Sequence, residues 1–274
     1  PGNREDGVAD RTGWYNHGMP VTPPTSTSAR SLAVWLAGRI EWSAYARLAE
    51  RLAWDVSEPD GRGPTLVLCE LEPCITIGRQ GSRADVRFTD EELAARRLPL
   101  RFVGRGGGAV LHGPGQVFVA LFARLEDLGL GQHDVGGYLE QFETGVAAAL
   151  RGMRCGPVLR VPGVGGLRGR SGLLAATGVA VRRGVVWHGG FVNICPALEP
   201  FGRVRTAGAA PATLVSTMGS VEADLRRRVR LQDFRTAVAR ALAEQLCQGR
   251  SHIHAGFPLA VPGPRTQETI SRVG

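Results

Sequence analysis

Arg105-Gly106-Gly107-Gly108-Ala109-Val110-Leu111-His112-Gly113-Pro114-Gly115-Gln116 decides the reading of this chain. Six of these twelve residues are glycine or proline, so the backbone here is shaped for close approach to something. Glycine reaches conformations closed to other residues and leaves main-chain N–H groups open to a ligand. An arginine, a histidine and a glutamine are set into the same run. A few polar groups on a shaped backbone are the layout of a pocket rim. A second cluster, Trp187-His188-Gly189-Gly190-Phe191-Val192-Asn193-Ile194, again combines histidine, paired glycines and an amide on what reads as one strand.

Working outward, Glu41 to Asp55 carries Trp42, Tyr45, Leu48 and Leu52 at helical spacing. Thr65–Leu71 reads as a buried strand, followed by the short Ile75-Thr76-Ile77. Thr89 with Glu92 forms a capping box that opens a helix to about Arg97. Strands are expected at Arg101–Val103, Ala109–Leu111 and Gln116–Ala123, and Asp134 caps a helix to about Gly152. A series of short strands is expected from Val161 to Ile194. One long final helix is expected from Val221 to Cys247, with Leu231, Phe234, Val238, Leu242 and Leu246 on one face. Long helices around a strand-rich middle imply an α+β domain, helices packed on a mixed β-sheet. The polar stretch 1–30 and the segment 249–274, broken by Pro258, Pro262 and Pro264, are expected to be flexible, leaving 31–248 as the folded domain.

All 33 Lys+Arg positions are arginine. Arginine stays protonated, so chemistry that needs a lysine amine is excluded: P-loop phosphate cradles, Schiff-base enzymes and Ser-Lys hydrolases. The net charge of +8 suits an acidic partner. With aromatics at only 6% and the arginines scattered, no nucleic-acid stacking platform is expected. The densest run, Arg226-Arg227-Arg228 with Arg230, is expected on a solvated helix face. Cys69, Cys74, Cys155, Cys195 and Cys247 show no zinc-like spacing, so reduced thiols, no metal and a cytoplasmic setting are expected. His252 and His254 lack companions that would make them metal ligands. No membrane span or signal peptide is expected, and the chain is expected to be a monomer.

The two glycine-rich clusters together resemble the lipoyl(octanoyl) transferases (lipoate-protein ligase B), within the biotin/lipoate protein ligase fold. That family carries RGG-x-x-T-x-HGPGQ, then K-x-x-x-x-G, then HG-x-x-x-N, and finally F-x-x-I-x-P-C-G. Here Arg105–Gly107 and His112–Gln116 match the first run, and His188-Gly189 with Asn193 match the third. Phe201, Val204 and Gly208 keep the register of the last, and Ile75-Thr76-Ile77-Gly78-Arg79 matches a T-x-GR strand. The resemblance spans about residues 32–248 and implies transfer of an octanoyl group from acyl carrier protein, through an enzyme cysteine, to a lysine of a lipoyl domain. It implies no cofactor. It also implies that Arg105, Gly106, Gly107, Gly108, Ala109, Val110, Leu111 and His112 bind substrate, with Ala176, Thr177, Gly178, Gly189, Gly190 and Phe191.

Ala207 stands at the cysteine position of the last run and Leu173 at the lysine position, five residues before Gly178; Val110 replaces the threonine. Neither alanine nor leucine offers a nucleophile, acid or base. The expectation is therefore a family member that has lost its covalent chemistry and binds an acyl group or its carriers. Two alternatives stay open. One is a working acyltransferase, by direct attack of the acceptor lysine or through Cys195 as substitute nucleophile, with His112 or His188 as base. The other is a regulatory or scaffold protein without acyl binding.

Overall fold

The computed structural model describes residues 31–161, 165–206 and 217–257. Its main layer is an eight-stranded mixed sheet in the order β11-β1-β2-β6-β10-β9-β8-β7. The strands are β1 (Leu32–Ile40), β2 (Thr65–Leu71), β6 (Gln116–Arg124), β7 (Leu159–Val161), β8 (Gly166–Arg168), β9 (Leu173–Arg182), β10 (Val185–Asn193) and β11 (Ser251–Ala255). A second, three-stranded sheet runs β4-β3-β5, from β3 (Cys74–Ile77), β4 (Leu100–Phe102) and β5 (Ala109–His112).

Strand β6 shows why the sheet is covered on both faces. Val117, Val119, Leu121 and Ala123 enter one core, while Phe118, Ala120 and Phe122 enter another. Side chains alternate across a strand, so a strand apolar at both parities must be packed on both sides. The first face is closed by α3 (Val135–Gly152) and α5 (Leu231–Cys247), through Tyr138, Phe142, Phe234, Val238 and Leu242. The second face is closed by α1 (Trp42–Ser57), through Trp42, Tyr45, Leu48 and Leu52. Glu41 starts α1 by accepting the Ser43 N–H, and Asp134 starts α3 by accepting the Gly137 N–H. The Thr89–Glu92 capping box is formed and opens α2 (Asp90–Ala95).

Four expectations are corrected. The single final helix is two: α4 (Val221–Leu225) and α5, separated by a turn in which Arg226 takes φ 51°. Ser220 caps α4 through the Ala223 N–H, and the Glu222 carboxylate accepts from Val229 N, which turns the chain before α5. Arg226, Arg227 and Arg228 therefore lie exposed in this break, not on a helix face. The segment from 249, expected to lie outside the folded domain, begins with a paired strand, and residues 258–274 lie outside the described residues. Ser251–Ala255 pairs in parallel with Leu32–Leu36 at the open edge of the sheet, and His254 stacks on Trp35 at 4.5 Å. The expected short strands after Val161 include two long ones, β9 and β10, joined by the tight Arg183-Gly184 turn. The 1–30 segment lies outside the described residues. Among the described residues no helix is long and apolar enough to cross a membrane, and no group of three His, Cys, Asp or Glu is placed to hold a metal ion.

Candidate functional site

The site lies where the small sheet meets β6, β9 and β10. Alternation on β3 and β5 sets its wall. Ile75, Ile77, Ala109 and Leu111 point into a third core with Phe88, Leu93 and Phe201. Their neighbours Thr76, Val110 and His112 face the other way, toward the large sheet. A cavity there is lined by Arg105, Gly107, Gly108, Val110 and His112 from the small sheet and its loop. Phe118, Ala176, Thr177, Gly178, Gly189, Gly190 and Phe191 line it from the large one, and Gln80 and Thr206 complete it.

Most of the residues singled out from sequence therefore converge, with four exceptions. Ala109 and Leu111 occupy the parity that faces away from the cavity, so their side chains serve the third core. Gly106 lies behind the lining, with its N–H bonded to Val179 O and its carbonyl accepting from Arg105 Nη1. Cys195 is outside the cavity altogether. It lines a separate groove beyond the Gly113-Pro114-Gly115 loop, and its thiol pKa is raised, first by burial and then by Glu222 and Glu70. Sequence reading did not single out Gln80, Phe118, Thr206 or Thr76 as site residues. For Thr76 a signal existed: a lone hydroxyl between two isoleucines on a short strand.

Glycine is required where the loop and the sheet meet. A Cβ on Gly178 would lie 2.5 Å from the Gly106 carbonyl, and one on Gly189 would lie 1.9 Å from Val119 O across the β6–β10 ladder. The opposite economy is seen at His188, a non-glycine held at φ 66° inside β10 without any break in register. A strained backbone in mid-strand persists only when its surroundings over-determine it. Here the imidazole stacks on Trp187 at 4.4 Å, and its Nδ1 lies 3.2 Å from Tyr45 Oη.

A continuous hydrogen-bond chain runs through the wall. Arg105 Nη2 donates to Thr76 Oγ1 (2.7 Å) and to Thr76 O (3.1 Å). Thr76 Oγ1 lies 3.0 Å from His112 Nε2, and His112 Nδ1 lies 2.9 Å from Gln116 Oε1. Gln116 Nε2 donates to Asn193 Oδ1 at 2.9 Å and to Leu111 O. With the Gln116 amide nitrogen spent as donor, its oxygen must accept. His112 is then the Nδ1–H tautomer, and its Nε2 accepts the Thr76 hydroxyl proton. Burial, with Arg105 adding to it, lowers the His112 pKa to about 3 and that of His188 to about 4. Both rings are neutral at pH 7. Burial also lowers Arg105 to about 10, which leaves it charged. Its charge meets two carbonyls and a hydroxyl, and no carboxylate among the described residues. The cavity therefore offers one buried cation, neutral polar groups, and apolar surface from Val110, Phe118, Ala176 and Phe191.

A family model for the lipoyl protein ligase A/B catalytic domain matches residues 45–243. The chain belongs to that family. Its relatives include the octanoyltransferase of Geobacter sp. (strain M21), 34% identical over 202 residues that span 74% of this chain and 91% of the relative. The octanoyltransferase of Citrifermentans bemidjiense is 35% identical over 179 residues, 65% of this chain and 81% of the relative. Among solved structures, a bipartite lipoate protein ligase from Thermoplasma acidophilum superposes with a TM-score of 0.66 at 15% identity, covering 84% of this chain and 89% of that one. A lipoate-protein ligase A bound with ATP gives 0.63 at 17% identity, covering 82% and 90%. These likenesses establish the fold expected from the resemblance, a mixed sheet packed with helices.

Within this family member, Leu173 begins β9, the strand that brings Ala176–Gly178 to the cavity. Its side chain is 1% exposed and belongs to the same apolar cluster as Val110, Phe118 and Phe191. Its backbone is bonded on both sides to the returning segment, to Thr217 O and Gly219 N. Ala207 lies outside the described residues, directly after Thr206.

Proposed function

We propose that this chain is an octanoyltransferase-family protein that retains an acyl-binding cavity and has lost covalent transfer. The observation that carries the reading is the chemistry of the cavity lining: a buried arginine and neutral polar groups, but no thiol and no amine among the described residues. In this reading an acyl carbonyl or carboxylate faces Arg105, and its chain lies along Val110, Phe118, Ala176 and Phe191. A thioester needs a thiolate to attack it, and a thiolate needs a lowered pKa. All five cysteines instead have thiols whose pKa is raised above the ordinary value, Cys69 and Cys74 to about 12. The activating amine is missing from the whole chain, which has no lysine.

The substrates that suit this reading are an octanoyl or lipoyl group and the acidic domains that carry them, acyl carrier protein and lipoyl domains. The net charge of +8 complements such domains. Transfer through Cys195 is disfavoured by its position outside the cavity. General-base catalysis by His112 is disfavoured by the engagement of both its ring nitrogens. The testing experiment mixes the protein with octanoyl-acyl carrier protein and an apo lipoyl domain and follows acceptor mass. The reading expects an unmodified acceptor together with measurable, Arg105-dependent binding of octanamide by calorimetry. Loss of all acyl binding would favour a scaffold role.

A further inference from the structure

A second, more open space lies outside the acyl cavity. It is a groove of about 650 Å³ on the far side of the Gly113-Pro114-Gly115 loop. Its apolar surface comes from Pro73, Leu98, Leu111, Phe201 and Leu231, and Cys195 and His112 also reach it. Two of its polar side chains are already engaged. His112 is spent on Thr76 and Gln116. Glu70 accepts the Gly115 N–H at 2.8 Å and faces Arg235 at 3.6 Å, so its charge is matched. Two cations, Arg39 and Arg96, line the same groove. Both are exposed, and neither makes an ion pair with a carboxylate among the described residues; Arg96 lies over the Phe88 ring and near the Glu92 carboxylate, which Arg203 already engages.

A mainly apolar floor, edged by two exposed guanidinium groups outside any ion pair among the described residues, suits an occupant that is apolar along its body and anionic at its head. We propose that this groove is a second binding site, separate from the acyl cavity, for a free medium-chain carboxylate whose head group pairs with Arg39 and Arg96. The volume suits such a chain, since small-molecule sites span about 300–1,000 Å³. Each buried methylene contributes to affinity, so binding strengthens about threefold to fourfold per added CH₂. The site is independent of whether the acyl cavity has lost its covalent chemistry.

Cys195 supplies a reporter that the acyl cavity does not touch. It is the half-buried cysteine in the groove, whereas Cys69, Cys74, Cys155 and Cys247 are buried. The experiment measures the rate of N-ethylmaleimide labelling at Cys195, by peptide mass spectrometry, against increasing sodium decanoate below its micellar concentration. Decanoate is expected to slow labelling at least fivefold at saturation. Hexanoate should need a far higher concentration, and decanol should protect much less than decanoate. The double variant Arg39→Gln, Arg96→Gln should lose most of the protection, while Ala176→Phe, which fills the acyl cavity, should keep it. Unchanged labelling with decanoate, equal protection by decanol, or full protection of the double variant would each overturn the proposal. Loss of protection in Ala176→Phe would also overturn it, by placing the ligand in the acyl cavity instead.

Discussion

Thr76 Oγ1 stands 3.0 Å from His112 Nε2, joining the arginine of one glycine-rich run to the histidine of the same run through a different strand. Because Arg105 also donates to that hydroxyl, one oxygen satisfies a buried cation and a buried imidazole together. Thr76→Val keeps the shape and removes the hydroxyl, leaving His112 Nε2 without its donor and Arg105 without one of its three acceptors. It is expected to cost about 2–3 kcal/mol in urea denaturation. Thr76→Ser, which keeps the oxygen, is expected to cost less than half of that. Equal costs for the two would mean that packing, not the hydrogen bonds, matters at this position.

Acid should destabilise the fold through its two buried histidines. His112 and His188 are held neutral, with pKa values lowered to about 3 and about 4, whereas an unfolded histidine takes a proton near pH 6.5. Between pH 6.5 and about 4 the unfolded chain binds more protons than the folded one, so stability falls as pH falls through that window. From pH 7 to pH 5 each histidine is expected to account for about 2 kcal/mol of loss. Replacing His188 by Asn should flatten the pH dependence of the urea midpoint over this range. A slope unchanged by that replacement would contradict the burial argument.

Much of this arrangement was legible from residues alone, and its limits are instructive. Strand β6 declares itself because it is apolar at both parities. The two glycine-rich runs both line the cavity, where Gly178 and Gly189 leave no room for side chains against the arginine-bearing loop and β6. The pairing of β11 with β1 was not legible. Ser-His-Ile-His-Ala has no strong alternation, and its partner lies more than two hundred residues away. The break between α4 and α5 was hidden because Leu231 to Leu246 fixes one helical face, while the turn before it depends on the side-chain bonds of Ser220 and Glu222. Ala109 and Leu111, which the resemblance implies as substrate-binding, sit in a contiguous run that does not present a single surface. Strand alternation sends every second residue to the opposite side.

Gly178→Ala tests the fit between the arginine-bearing loop and β9. The new methyl would press on the Gly106 carbonyl and the Arg105 side chain. The expected result is a loss of about 1–3 kcal/mol by chemical denaturation, with octanamide binding weakened further than stability alone explains. Unchanged binding would separate Arg105 from the acyl site.

Leu173→Lys alone should place an amine in an apolar cluster. A desolvated lysine is held neutral, with its pKa below the usual value near 10.4, while the unfolded chain keeps it charged. The variant is therefore expected to be at least ~3 kcal/mol less stable at pH 7 than the parent chain, and to recover as pH rises toward 10. The measurement is the urea midpoint against pH. A deficit that does not change with pH would show that the amine reaches solvent.

The central claim is that the covalent route is gone while the cavity for the acyl group remains. Intact-mass spectrometry after incubation with octanoyl-acyl carrier protein and an apo lipoyl domain tests it most directly, on the parent chain, on Ala207→Cys, and on Ala207→Cys combined with Leu173→Lys. The account predicts no acyl adduct and no modified acceptor for the parent chain, and an octanoyl adduct with transfer for the double variant. An octanoylated acceptor formed by the parent chain would contradict it.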